Sequence, residues 1–222
     1  MSRAWRVFCF VFLSLATSCA SRGDAEIERS PADASLAETG AATSDSDVAV
    51  HTSAAGIVDP LTLTADGHGA FTARHAWHRF STTIDARGAS LDGLGSAWHL
   101  GLRLARIGRE GAMREVGRPA PTMREGRVRF EHEGVSEWYL HDSRGLEQGF
   151  EIAERPSGEG ALIVEVGIDG LEPVMGKDGK SIELRDPNAR ARVTYADLLV
   201  RDAVGRIVDA ARRVGERQIE IT

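Results

Sequence analysis

Cysteine is nearly missing: the 222 residues hold two, Cys9 and Cys19, both close to the N-terminus. The chain beyond Cys19 has no thiol, which excludes disulfides and cysteine-ligated zinc there. No apolar run approaches the roughly 20 residues needed to cross a bilayer as a helix. There is no HExxH helix motif, no GxSxG elbow and no DxDxDG-type calcium loop. Gly176-Lys177-Asp178-Gly179-Lys180-Ser181 superficially suggests a phosphate loop. It has two residues between its glycines where that loop needs four, and a strand follows, so a hairpin turn is expected. An excess of positive charge is also missing. The net charge is −6, which argues against a nucleic-acid partner.

What is present begins with a leader. Arg3 and Arg6 precede the apolar run Val7–Leu15, and small residues follow up to Cys19. This is the layout of an export signal. Leu15-Ala16-Thr17-Ser18-Cys19 resembles a bacterial lipobox, with Ala16 where Leu is usual. That resemblance implies removal of residues 1–18 as a signal peptide and lipidation of Cys19, which would carry several acyl chains and anchor the protein stably. Ala20, rather than Asp, after the Cys implies sorting to the outer membrane. The same small residues also fit ordinary secretory cleavage after Ala20.

Residues 19–58 are built mostly from Ala, Ser, Thr, Asp and Glu, with two arginines against seven carboxylates. Such a segment buries too little apolar surface to offset its ordering entropy. A disordered acidic tether is expected there, lifting a domain over residues 59–222 off the membrane.

That domain has the period of strands. Trp98, Leu100, Leu102 and Leu104 alternate onto one face, as do Leu162, Val164, Val166 and Ile168, and also Leu146, Phe150 and Ile152. Further runs cover 71–74, 78–85, 127–132, 135–140, 181–185, 191–195, 198–202 and 217–222. Turn residues recur at roughly ten-residue spacing, so the expectation is an all-β, antiparallel sandwich. Residues 206–214 fit either a strand or a short helix, since Val204, Ile207, Val208, Ala211 and Val214 also form a helical stripe.

Candidate chemistry is sparse. His75 and His78, three apart, would point to opposite faces of a strand. His99 and His132 belong to different strands. Glu131/Glu133 and Glu147/Glu151 pair carboxylates on single strands, which reads as a wet face rather than a glycosidase pair. No catalytic, cofactor-binding or metal-binding residues are assigned.

The run Glu137-Trp138-Tyr139-Leu140-His141-Asp142-Ser143-Arg144-Gly145-Leu146-Glu147-Gln148-Gly149-Phe150 resembles the E-W-Y-x-N-x-x-x-G-L-E-Q-G-F segment of myxobacterial-type surface lipoproteins. There it belongs to a β-rich N-terminal domain preceding integrin-like FG-GAP repeats. His141 stands where that family has Asn. The flanking strand Trp98–Arg106 and the segment Val193–Arg206 agree in kind. No repeats follow, and the sequence stops within an apparent strand at 219–222. The resemblance implies a truncated or stand-alone leading domain with no catalytic residues. Glu137, Trp138, Tyr139, Gly145, Leu146, Glu147, Gln148, Gly149 and Phe150 would then be structural, with Trp138 and Leu140 filling the core and Gly145 turning the chain.

The function expected from these readings is a non-enzymatic, lipid-anchored binding or adhesive module. It would sit at the outer membrane or cell surface, without a cofactor, and meet a protein or glycan partner. Trp77 is a candidate contact residue and equally a candidate for the core. The alternative is an envelope hydrolase whose site gathers His99, His132, Glu131 and Asp142 from separate strands.

Overall fold

A computed structural model describes residues 8–15 and 61–222. Most of the predicted leader, Cys19 and the predicted tether over 19–58 lie outside the described residues. All regular structure among the described residues is strand, the outcome that the alternating patterns predict. In chain order, β1 (Phe8–Leu15) belongs to a first sheet. A second sheet receives β2 (Thr64–Ala65), β3 (Phe71–His75), β4 (Phe80–Asp85), β5 (Gly88–Gly93), β6 (His99–Arg109) and β7 (Ala112–Glu115). The chain then returns to the first sheet with β8 (Thr122–Arg124), β9 (Arg127–His132), β10 (Val135–Asp142) and β11 (Gly145–Ile152). It crosses with β12 (Leu162–Asp169), and returns again with β13 (Glu172–Met175), β14 (Ile182–Arg185), β15 (Ala191–Arg201) and β16 (Ile207–Val208). The last two strands, β17 (Arg212–Val214) and β18 (Gln218–Ile221), join the second sheet.

The first sheet is ordered β13-β14-β15-β1-β11-β10-β9-β8, with β16 beside β15. The second is β17-β18-β12-β6-β5-β4-β3-β2, with β7 beside β6. Every pairing is antiparallel. One buried cluster joins the two sheets, with Leu100, Leu102, Leu104, Val164, Val166 and Ile219 from the second facing Phe130, Tyr139, Leu146, Phe150, Leu184 and Tyr195 of the first. The sandwich follows from the period-2 pattern, because each sheet hides one apolar face only by stacking on the other.

Two local readings change, and the expected hairpin turn at 178–179 is present. The runs predicted over 191–195 and 198–202 are a single strand, β15, bulged where Asp197 takes φ 55° and where its register with β1 shifts. Residues 206–214 form neither one strand nor a helix: β16 and β17 lie in different sheets, and the chain changes sheet between them. In the Asp178-Gly179 turn the positive φ belongs to Gly179 alone (65°), while Asp178 Oδ1 accepts from the Lys180 and Ser181 backbone N–H groups.

The β10–β11 hairpin corrects a further expectation. Its register sets Glu137 opposite Phe150, Tyr139 opposite Gln148 and His141 opposite Leu146. These six are buried and face the second sheet. Trp138 and Leu140 do share a face, but it is the outer one. Trp138 lies across from Gly149 and spreads its ring over that glycine's Cα, and Arg127 sits on the ring at 4.2 Å from its centroid. It is buried without belonging to the inter-sheet core. Gly145 holds the hairpin's positive φ, 136°, as its place after Ser143-Arg144 predicts.

Candidate functional site

The two sheets and their turns offer three places where polar groups converge. The first lies within the sandwich. Glu137 is 2 % exposed, and its Oε1 accepts from the Leu104 backbone N–H of the opposite sheet (3.0 Å), from Tyr139 Oη (2.7 Å) and from Gln148 Nε2 (2.8 Å). Gln148 Oε1 in turn accepts from Tyr195 Oη at 3.0 Å. His132, whose side chain is 5 % exposed, brings Nε2 to 3.6 Å from Glu137 Oε2. Burial, and then the neighbouring Glu137, push the Tyr139 hydroxyl well above the ordinary phenol range, so it remains a protonated donor. This chain of groups ties β9, β10, β11 and β15 to β6. Its side chains are buried between the sheets, where such a network fixes how the two sheets pack.

The second place is the turn between β3 and β4. The sequence expectation that His75 and His78 diverge fails, because His75 ends β3 and the chain reverses at once. Their rings meet at 4.3 Å between centroids, with His141 5.4 Å and Phe80 5.2 Å from His75. The nitrogens serve the backbone: His75 Nε2 donates to Asp142 O, His75 Nδ1 accepts from His78 N–H, and His141 Nδ1 donates to Leu61 O. Among the described residues, no cluster of three or more His, Cys, Asp or Glu side chains is arranged to hold a metal. Burial, with His75 beside it, holds the His78 imidazole below the usual histidine range of about 6.5. The fold therefore disfavours the His78 proton, and stability should fall as pH drops below about 6.5. Melting curves between pH 5 and 7.5 test this, with His78→Gln expected to flatten the acid side of the profile.

Trp77 stands at the apex of the same turn and is 88 % exposed. It packs nothing, so Trp77→Ala should leave stability within about 0.5 kcal/mol of the parent. Equal melting temperatures in a thermal scan are the expected result.

The third place is a groove of about 460 Å³ on the outer face of the second sheet. Its floor comes from outward positions of three adjacent strands. Ser90 of β5 lies opposite Gly101 of β6, which lies opposite Asp169 of β12, and Arg103 lies opposite Gly167. Two of these floor positions are glycine, and the Arg103 side chain lies across one of them, Gly167. The rim is charged. Arg87 is held by Asp85 at 2.7 Å, His99 Nδ1 by Asp92 at 2.9 Å, and Arg217 by Asp169. The Arg87 guanidinium keeps the Asp85 carboxyl below its ordinary range, so that pair stays ionised. Arg103 and Arg118 also line the groove and have no carboxylate partner among the described residues. The groove is shallow, and the guanidiniums of Arg103 and Arg118 each present a planar fork of donors there.

The residues proposed for a hydrolytic site are not brought together. His99 stands on this groove, whereas His132 is inside the sandwich. Glu131 is on the outer face of the first sheet, bound to Arg129 at 3.0 Å and to Ser136, and Asp142 closes the β10–β11 turn against Arg144 at 2.8 Å. Asp92 does orient the His99 ring, but the nearby Ser90 hydroxyl donates to Thr83 O. The carboxylates suggested as strand pairs are used structurally: Glu151 binds Arg129 at 2.9 Å, and Glu147 is buried. Sequence reading missed the groove because arginines at 103 and 118 carry no motif; the strand order and the loop after β7 bring both to one groove. No family model, curated protein or solved structure matches this chain.

Proposed function

We propose that this protein is a non-enzymatic lipoprotein of the bacterial envelope, anchored through Cys19, whose sandwich domain binds an anionic partner. The leader and lipobox pattern supports the anchor, with the outer membrane or cell surface as the location. Likeness of the Glu137–Phe150 run to surface lipoproteins of the FG-GAP-associated kind is part of the same reading. The observation that carries the binding role is the pair Arg103 and Arg118, which meet no carboxylate among the described residues and line the groove with its glycine floor. A carboxylate-bearing glycan fits best. Its flat repeating units can lie along the floor while acid groups meet the guanidiniums, and the ion pairs around the rim restrict the charge to be matched.

Calorimetric titration of the protein with a polyuronate at low salt tests this. Saturable binding that weakens with added salt is expected, and Arg103→Gln with Arg118→Gln should lose at least about tenfold in affinity, roughly one charge-assisted contact. The double variant should melt close to the parent, because neither arginine makes a hydrogen bond or ion pair with another element among the described residues. Equal affinity in parent and variant would overturn the reading.

A further inference from the structure

The most consequential feature of the first sheet is where β1 sits. Phe8–Leu15 is an interior strand, paired antiparallel to β11 on one side, from Phe8 opposite Glu151 to Leu13 opposite Leu146. On the other side it pairs with β15, from Phe8 opposite Arg201 to Leu15 opposite Val193. The same eight residues form the centre of the leader that processing at Cys19 would remove. We propose that the processed chain carries a strand-acceptor slot between β11 and β15, filled by an extended, uncharged apolar segment of a partner polypeptide lying antiparallel to both. This inference rests on the proposed processing at Cys19.

Three observations support the slot. First, β11 and β15 are both antiparallel to β1 and so run parallel to each other. They cannot close the gap by forming a hairpin-like antiparallel pair. Direct contact would require one half of the sheet to slide a full strand spacing of about 4.8 Å across the opposing core. Second, a side-chain bridge spans the position of β1: Tyr195 of β15 donates to Gln148 of β11 at 3.0 Å, and Gln148 is fixed in turn by Glu137 and Tyr139. The slot's width is thus held by buried groups that processing does not remove. Third, its walls are apolar as well as hydrogen-bonding, since Leu146, Phe150, Val193 and Tyr195 are all buried. An open slot would leave two rows of backbone donors and acceptors unpaired beside that core, a strong template for strand addition.

The occupant's chemistry can be read from Phe8-Cys9-Phe10-Val11-Phe12-Leu13-Ser14-Leu15, which is eight residues long, without charge and rich in large apolar side chains. The tether is a poor substitute. Its longest uncharged stretch, Val48–Val58, offers only His, Thr, Ser, Ala and Gly from His51 to Gly56. A segment from another polypeptide is therefore the better match.

The test uses the lipidated protein purified from a processing-competent bacterium, with intact mass measured first. The probe is a synthetic peptide of residues 8–15 carrying Cys9→Ser and a C-terminal lysine pair for solubility. The control is the same peptide N-methylated at alternate positions, which cannot donate to one ladder. One peptide should bind per chain and raise Tm by about 5–10 °C at a hundredfold excess over Kd. Amide exchange should slow in both Gly145–Ile152 and Ala191–Arg201, and the N-methylated peptide should do neither. If the processed chain folds poorly alone, recovery of folded protein on refolding with the peptide, but not with the control, supports the slot equally. Failure to fold with either peptide overturns it. So does a stable processed chain whose amides in both strands are already protected and which ignores the peptide, because its own sequence then fills the gap. A mass that retains residues 1–18 also overturns the slot, and it alone refutes the processing reading beneath it.

Discussion

Replacing Trp138 by alanine is expected to destabilise the protein by about 3–5 kcal/mol, lowering Tm by roughly 10 °C or more. The size follows from complete burial of the indole. Its mechanism differs from loss of an inter-sheet core residue, because Trp138 covers the outer face of its own hairpin. The ring occupies the space above Gly149, and Arg127 lies on its far side at 4.2 Å. Gly149→Ala should therefore be costly too, since the added Cβ would overlap the Trp138 ring itself. The two changes should be non-additive: alanine at 149 should cost much less once Trp138 is gone. A double-mutant cycle by chemical denaturation reads this directly. Independent, additive costs would show that the ring and the glycine are not packed as described.

The second large effect is expected at Glu137. Glu137→Ala would leave the Leu104 N–H, the Tyr139 hydroxyl and the Gln148 amide without their shared acceptor, all inside the sandwich. Each buried orphan costs about 1–3 kcal/mol, so a total of several kcal/mol and poor folding at 37 °C are expected. Glu137→Gln should be far milder. All three donors meet the one oxygen, Oε1, which an amide can keep in place while its NH2 turns toward His132. Denaturation midpoints of the two variants separate the effects. If glutamine proved as damaging as alanine, the negative charge rather than the acceptor would be what matters there.

These two residues show how far the sequence could be read. The E-W-Y…G-L-E-Q-G-F run is recognisable as a structural unit, and Gly145 can be assigned to its turn from position alone. Leu146 and Phe150 were read inward and are so, but the faces of the Glu137–His141 strand were read the wrong way round. Apolar content suggested that Trp138 and Leu140 point to the core, whereas Glu137, Tyr139, His141 and Gln148 do. In a strand, alternation defines two faces but not which is inner when both carry large groups. That choice was made by partners distant in sequence: the Leu104 amide needs an acceptor and Tyr195 needs one as well. Likewise, His75 and His78 looked divergent because a strand was assumed to continue, and a reversal at residues 76–79 brings them together instead.

The sequence by itself determined the fold class, most of the strands and the hairpin turns. These depend on side-chain period and on residues such as Gly145 and Gly179, whose conformational freedom is a local property. The identity of the inner face, the buried Glu137 network, the groove that gathers Arg103 and Arg118, and the placing of Phe8–Leu15 between β11 and β15 were decided only by the tertiary structure. Each depends on which strands become neighbours, and neighbours as distant in sequence as β1 and β15 are selected by the packing of the whole sandwich rather than by any short stretch of it.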